Sequence, residues 1–307
     1  MKREPISVVI PSYNAQKLLE KNIPKIVATM ISLDQLIIID DASTDTTLEW
    51  LQENCILEQV SFSNDAFFIP DTYHTTFDKI KGTLYQGKVK AAGKIISLTV
   101  FKNAENVRFG AAANIGFLLA QNPLVFLCNN DVIPFPDTLT SLARHFINET
   151  VFGVGCLEYE GSKECEKISG RNVLWFERGL FQHSKAPTMD SGETAWVSGG
   201  SGLFSVSKWR EIGGFDPLFY PAYWEDIDVS YQAHARGWKV LFDADATVIH
   251  EHETTNGTVF GNAKIRQMSW RNAFKFTWKN GTIVQKIQFV LWLPYWLFHS
   301  FTDLVAT

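Results

Sequence analysis

The chain has 307 residues, 46% of them hydrophobic and 20% charged. That length suggests one large or two modest domains, and that composition excludes disorder throughout. With 28 Lys and Arg against 33 Asp and Glu, the formal charge is −5, so no basic excess exists to grip a phosphate backbone and no nucleic-acid partner is expected. Cys55, Cys128, Cys156 and Cys165 form no C-x-x-C pair and have no histidine at zinc-ligand spacing, so they read as reduced thiols of a cytoplasmic protein.

In chain order, residues 1–14 are basic, then apolar, but the apolar run is too short for a secretory leader and Pro11 interrupts it. Residues 6–10 form a β-branched run that predicts a buried strand. Leu18, Leu19, Ile23, Ile26, Val27 and Met30 fall on one face of a helix over 15–31. A second buried strand over 35–39 stops at Asp40 and Asp41, and Ser43 is the expected N-cap of a helix over 46–54. This β-α-β-α order predicts a parallel sheet covered by helices. Residues 56–105 carry apolar patches at 67–69 and 95–98 and a basic stretch from Lys79 to Lys94, and read as an insertion with some strand content.

The alternating pattern resumes with a helix over 111–120 and a buried strand over 124–128 that ends at Asn129-Asn130-Asp131. A helix over 137–147 and a strand from Gly153 follow, and 157–195 is irregular and polar. A glycine-dense segment over 196–205 precedes a helix over 207–212. A helix over 226–236 stops at Gly237, and strands are expected over 239–242 and 247–249. The tail, 263–307, is helical in pattern and rich in Trp, Phe and Lys. Its most apolar stretch, 287–301, is about 22 Å long as a helix, short of a bilayer core of about 30 Å. Trp292, Tyr295 and Trp296 suit a headgroup region, and Lys275, Lys279 and Lys286 suit anionic lipid, so the tail is expected on a membrane surface, with packing on the core as its rival.

Asp40-Asp41, Asp131 and Glu225-Asp226 each stand where a strand or loop meets a helix, and ligands of open parallel sheets bind beyond the carboxyl ends of the strands. Each acid alone could be a cap or a turn residue. Together they suggest a shared rim. Asp131 with its asparagines offers hard oxygen ligands suited to Mg²⁺ or Mn²⁺ carrying a diphosphate. The aromatic loop ending in Trp224 suits a sugar-stacking wall beside an acid, and His250 or His252, flanking Glu251, could complete a metal shell.

The segments at 8–14, 39–45, 106–110 with Asn114, and 129–131 stand in an order similar to the family 2 glycosyltransferases with the GT-A fold. So do Gly199-Gly200, 213–216, 223–228 and His250, and the nearest likeness is to the rhamnosyltransferase-like branch that builds bacterial surface polysaccharide. The resemblance covers about 6–50 and 106–252. It implies a GT-A domain over 1–255, with a helical segment over 256–307.

It also implies that Pro11, Tyr13, Asp41, Arg108, Gly110, Asn114, Asn130 and Asp131 bind the nucleotide-sugar. By the same resemblance Asp41 accepts from the base, Asp131 and His250 hold a divalent metal, and Gly200, Trp224 and Glu225 face the acceptor. Asp226 becomes the general base of an inverting transfer. The motif here is Asn-Asn-Asp where the family has D-x-D, which leaves one carboxylate for the metal. The implied acceptor is a glycan or a polyprenyl-diphosphate-linked glycan, met at the inner face of the plasma membrane. Among rivals, a dinucleotide oxidoreductase needs G-x-G-x-x-G after the first strand, where Pro11-Ser12-Tyr13-Asn14 stands. A nucleotidyltransferase needs a basic glycine-rich loop at the same place. A non-catalytic sugar-binding scaffold would use the Trp-rich surfaces with the acids as caps.

Overall fold

The computed structural model describes residues 3–62, 80–161, 167–251 and 261–305. The apolar patch at 67–69, Lys79, Cys165, His252 and residues 306–307 lie outside the described residues. The chain opens with β1 (Ile6–Ser12), α1 (Gln16–Thr29), β2 (Gln35–Asp40) and α2 (Thr47–Asn54). Every residue of β1 and β2 is buried, as interior parallel strands require. The two run parallel in a register that sets Ser12 beside Asp40, so their carboxyl ends lie side by side. Ser43 does not cap α2. Its hydroxyl accepts the Asn14 N–H (2.9 Å), and Asp45 takes the Thr47 N–H instead (3.0 Å).

Next come β3 (Ile56–Val60), β4 (Gly82–Ala91), β5 (Lys94–Asn103), α3 (Arg108–Leu119), β6 (Leu124–Cys128), β7 (Val132–Pro134) and α4 (Thr138–Ala143). β5 pairs parallel with β2 along six residues, so the segment 56–105 feeds the centre of the sheet, and β3 and β4 extend it antiparallel. The rest of the catalogue is β8 (Val151–Glu160), β9 (Ile168–Ser169), β10 (Asn172–Glu177), β11 (Leu180–Lys185), β12 (Gly192–Glu193), β13 (Ser201–Ser205), α5 (Val206–Ile212), α6 (Glu225–Ala235), β14 (Lys239–His250), α7 (Asn262–Asn280) and α8 (Ile283–Val305). The polar stretch 157–195 thus holds a hairpin, β10–β11, turned at Arg178 (φ 50°) and Gly179 (φ 76°). Two residues with positive φ suit such a turn because they match the strands' twist.

The main sheet runs β12-β14-β8-β13-β6-β1-β2-β5-β4-β3, with β6, β1, β2 and β5 parallel at its centre and β8 and β14 parallel to each other. α1, α2 and α4 pack on one face through Leu19, Ile23, Leu51 and Leu139. α3, α5 and α6 cover the other through Ala113, Phe117, Trp209 and Val229. α3 lies close because Gly116 has no side chain: a Cβ there would stand 2.2 Å from Val9 Cγ1. Cys128 and Cys156 are buried free thiols whose pKa burial pushes up, consistent with inert core residues.

A third core joins the hairpin to the tail through Phe181, Trp224, Ile227, Phe276, Phe289 and Trp296. Both tail helices therefore pack on the sheet domain, and this revises which tail residues are available to a membrane. Trp296 is buried and donates to Arg178 O (2.6 Å), and the Tyr295 hydroxyl takes an Arg178 N–H (2.9 Å). Lys279 is held by Asp216 and Asp228, both at 2.7 Å, and Lys275 by Leu218 O (2.8 Å). The opposite face of α8 is open: Ile283, Val284, Ile287, Val290, Leu291, Leu297, Phe298 and Phe301 recur at helical spacing and are all exposed. Among the described residues, no helix is long and apolar enough to cross a membrane.

Candidate active site

The carboxyl ends of β1, β2 and β6 open onto a cleft of about 620 Å³. Pro11, Tyr13, Asp41, Arg108, Asn130, Asp131, Gly200, Trp224, Glu225, Asp226 and His250 all line it, so acids that stand 185 positions apart at the extremes, 41 and 226, share one cavity. Gly110 and Asn114 do not reach it and line a smaller neighbouring cavity. Asn114 is held by the protein itself: its amide oxygen accepts Phe215 N–H (2.9 Å) and the Trp209 indole (3.3 Å), and its amide nitrogen donates to Phe215 O (2.9 Å).

Asp41 follows β2 directly. Its Oδ1 accepts Asn103 Nδ2 (2.9 Å) and Val107 N–H (2.8 Å), and its Oδ2 accepts Arg108 N–H (2.8 Å). A carboxylate oxygen has two lone pairs, so Oδ2 keeps room for one further donor. Burial pushes the Asp41 pKa up against the pull of these bonds. Asp40, the last residue of β2, is buried and accepts Ser43 N–H (2.8 Å).

Asp131 faces His250 across 3.3 Å, and the other ring nitrogen lies 3.4 Å from Glu158. Burial pulls the His250 pKa down, but the hydrogen bonds and charges of the two acids outweigh it and push it up to about 10. Glu158 is held low despite burial by His250, Ser201 and Ser198. The sequence reading missed Glu158, although an acid inside the apolar run of β8 was a usable signal. Among the described residues, no group of three His, Cys, Asp or Glu side chains is arranged around a metal. Asp131 nevertheless fits a hard divalent cation that takes most of its shell from a diphosphate, and His250 can join it once the ion displaces the ring proton, since only a neutral imidazole has a lone pair to give. Gly200 crowds this corner, and a Cβ there would stand 2.5 Å from Asn129 Nδ2.

Asp226 opens α6. Its Oδ1 accepts Ile227 N–H (2.9 Å) and its Oδ2 is 3.4 Å from Gly199 N. Burial pushes the pKa of Asp226 up, and burial plus the charge of Asp226 pushes Glu225 up. Trp196, Trp224 and His183 build an aromatic wall beside them, with the His183 ring 4.9 Å from Trp224 and 5.2 Å from Trp196. Burial lowers the His183 pKa, which favours the neutral ring. Neither His183 nor Trp196 carried a signal in sequence, since the hairpin that delivers His183 was not foreseen.

The loop ahead of Asp226 has little structure of its own, and α7 holds it. Asn272 Nδ2 lies 2.9 Å from Phe219 O, 2.9 Å from Ala222 O and 2.8 Å from Tyr223 O. Arg271 donates to Tyr220 O (2.6 Å), and Lys279 bridges Asp216 and Asp228. Within the loop Tyr223 (φ 76°) and Trp224 (φ 79°) are left-handed, as is Arg108 (φ 71°) on the opposite wall. Such conformations cost of order 1 kcal/mol or more each and persist where the surroundings enforce them, typically at functional sites.

Residues 88–271 match the family model described as "Glycosyltransferase like family 2", and 7–63 match "Glycosyl transferase family 2". Two curated proteins named pre-mycofactocin glycosyltransferase, from the CDC 1551/Oshkosh and ATCC 25618/H37Rv strains of Mycobacterium tuberculosis, are 26% identical over 144 residues. That stretch is 47% of this chain and 30% of theirs, so the chain matches less than a third of the length of these relatives.

Solved structures that share the fold include the following three. The mannosyltransferase PcManGT from Pyrobaculum calidifontis, in complex with GDP-Man and Mn²⁺, has a TM-score of 0.57 and 15% identity over 96% of this chain and 70% of that one. GalNAc-T7 with UDP, GalNAc and Mn²⁺ gives 0.58 and 16% over 90% and 48%. TarS 1–349 from S. aureus gives 0.54 and 13% over 93% and 70%. The likeness is one of architecture: an α/β GT-A fold with helices after the sheet.

Proposed function

Because the chain belongs to glycosyltransferase-like family 2, the family matched by residues 88–271, we propose that it moves a sugar from a nucleoside-diphosphate donor to a hydroxyl of a glycan or lipid-linked acceptor, inverting the anomeric carbon. The observation that carries this reading is the meeting of Asp41, Asp131 and Asp226 in one cleft. Pro11, Tyr13 and Arg108 flank the nucleotide, and the spare lone pair of Asp41 Oδ2 takes a base N–H. Asp131 and His250 would hold a Mg²⁺ or Mn²⁺ ion, which when bound offsets negative charge gathering on the departing diphosphate. Asp226 removes the proton of the acceptor hydroxyl as that oxygen bonds to the anomeric carbon and the carbon–phosphate oxygen bond breaks. A single base suffices for inversion, because no covalent sugar–enzyme bond is formed.

The exposed stripe of α8 supports the surface of the plasma membrane's inner face as the place where a lipid-linked acceptor is met, in the synthesis of cell-surface polysaccharide. Its apolar side chains can enter the headgroup boundary without spanning the bilayer. A screen of UDP-, GDP- and dTDP-sugars, read by release of the nucleoside diphosphate and by proton NMR of the product anomer, tests the reading. Turnover of one donor with an inverted product is expected. Glycan binding with no response to any sugar nucleotide would instead favour a sugar-binding scaffold.

A further inference from the structure

Beside the main cleft lies a second cavity of about 310 Å³, walled by the start of α3 and by the loop that α7 holds. Asn106, Arg108, Pro221, Ala222 and Glu225 belong to both cavities, so the two communicate around these side chains. The small cavity's own lining is largely apolar and aromatic, with Ala111, Phe215, Phe219 and Tyr220 among it. Such surfaces take the C–H faces of a sugar ring, and a few convergent polar groups fix its orientation.

One polar group here lacks a partner. Glu225 Oε2 is buried and makes no hydrogen bond among the described residues. A buried acid without a partner costs stability, and because Glu225 stands in the wall of both cavities its carboxyl can gain one by turning toward a ligand group. A nucleoside-diphosphate sugar takes up much of a cleft the size of the larger one, so the bulk of an acceptor beyond its reacting hydroxyl needs room elsewhere.

We propose that the smaller cavity is an acceptor subsite for the sugar residue next to the one being glycosylated, and that Glu225, in the shared wall, reads a hydroxyl of that residue. This rests on the glycosyl-transfer reading above. Glu225 adjoins Asp226, so a sugar anchored there brings the neighbouring ring's hydroxyl toward the base. The carboxyl, pushed up by burial, is suited to donate to a hydroxyl oxygen. Phe219 and Tyr220 supply flat faces for the ring, and Tyr220 lines this cavity alone.

The test compares wild type with Ala111→Phe, which fills the small cavity from α3, and with Tyr220→Ala and Glu225→Ala. Calorimetry first measures UDP, GDP and dTDP with Mn²⁺. With the best of them bound, saturation-transfer NMR measures methyl glycosides of glucose, galactose, mannose, rhamnose and N-acetylglucosamine, and disaccharides of the same sugars. At least one disaccharide should bind wild type more tightly than its methyl glycoside and lose about tenfold in affinity in Ala111→Phe and Glu225→Ala, and less in Tyr220→Ala, with nucleotide affinity within twofold throughout. No disaccharide advantage in wild type, or an advantage that survives all three changes, overturns the subsite. A loss of nucleotide affinity in Ala111→Phe would make the cavity part of the donor site and equally overturn it. If no nucleoside diphosphate binds wild type at all, the glycosyl-transfer reading itself fails.

Discussion

The two walls of the cleft are built by different means. On the wall proposed to hold the donor, Asp41 and Asp131 stand after buried parallel strands, and Asp41 is fixed by main-chain N–H groups of the α3 entrance and by Asn103. On the opposite wall, Asp226 follows a loop whose carbonyls are held by side chains of α7, some fifty positions away in the chain. The first arrangement is a property of the sheet and comes with the fold. The second depends on a helix lying after the sheet domain, and so can be altered without touching the donor site.

The largest effect separates the walls most cleanly. Asp226→Asn keeps size and the main-chain contacts but cannot take a proton. Turnover should fall by roughly 10²–10⁴-fold, the usual contribution of a positioned base, with nucleoside-diphosphate affinity within twofold by calorimetry. Near-normal turnover would remove Asp226 from its role.

The α7 clamp comes next. Asn272 is fully buried, and Asn272→Ala strips several loop carbonyls of their donor at about 1–3 kcal/mol for each buried group left unsatisfied. The melting temperature should drop, and kcat should fall about tenfold or more, because misplacing a catalytic group by about 1 Å can cost as much as 10²-fold. KM for the donor should stay within twofold. An equal loss in donor affinity would show that the walls are not independent.

A smaller, pH-dependent effect concerns the buried acid pair. Burial raises the folded-state pKa of Glu225 above its unfolded value. Stability is therefore fully present below the ordinary carboxylate pKa and is lost as pH rises through the raised one. Glu225→Gln should match wild type in melting temperature near pH 4 and exceed it near pH 8. The reverse order would mean that the carboxylate is favoured in the folded protein.

The smallest effect on the fold is expected farthest from the cleft. Leu291 is 73% exposed on the open stripe of α8. Leu291→Glu should change stability by no more than about 0.5 kcal/mol, as exposed substitutions do. It should reduce co-sedimentation with vesicles containing phosphatidylglycerol if that stripe meets lipid. Unchanged sedimentation would detach the stripe from the membrane reading.

Much of the donor wall was legible because parallel strands leave continuous apolar runs, and the residues after them fall at the ligand-binding rim by topology alone. The runs before Asp41 and Asp131 are of this kind. The acid wall was legible only in part. Glu225-Asp226 announced a helix start, yet nothing local marks Asn272 or Lys279 as the groups that hold the loop, since a side-chain contact across fifty residues leaves no periodic trace. The Arg178-Gly179 hairpin is local and was hidden for a different reason: its strands lack a clean alternation of polar and apolar residues, and His183 went unseen with it. In the tail, the pattern gave the helices but could not divide their aromatics between core and surface. Both faces of α8 are apolar, so Trp296 and Tyr295 could not be told from Leu291 by spacing.

Calorimetry with the nucleoside diphosphates tests the central arrangement most directly, run on wild type, Asp131→Ala and Asp226→Asn with and without Mn²⁺. Binding that is about tenfold or more tighter with Mn²⁺, loses that gain in Asp131→Ala and keeps it in Asp226→Asn is the predicted result. Affinity indifferent to Mn²⁺ and to Asp131, or no binding at all, would contradict a donor held in this cleft.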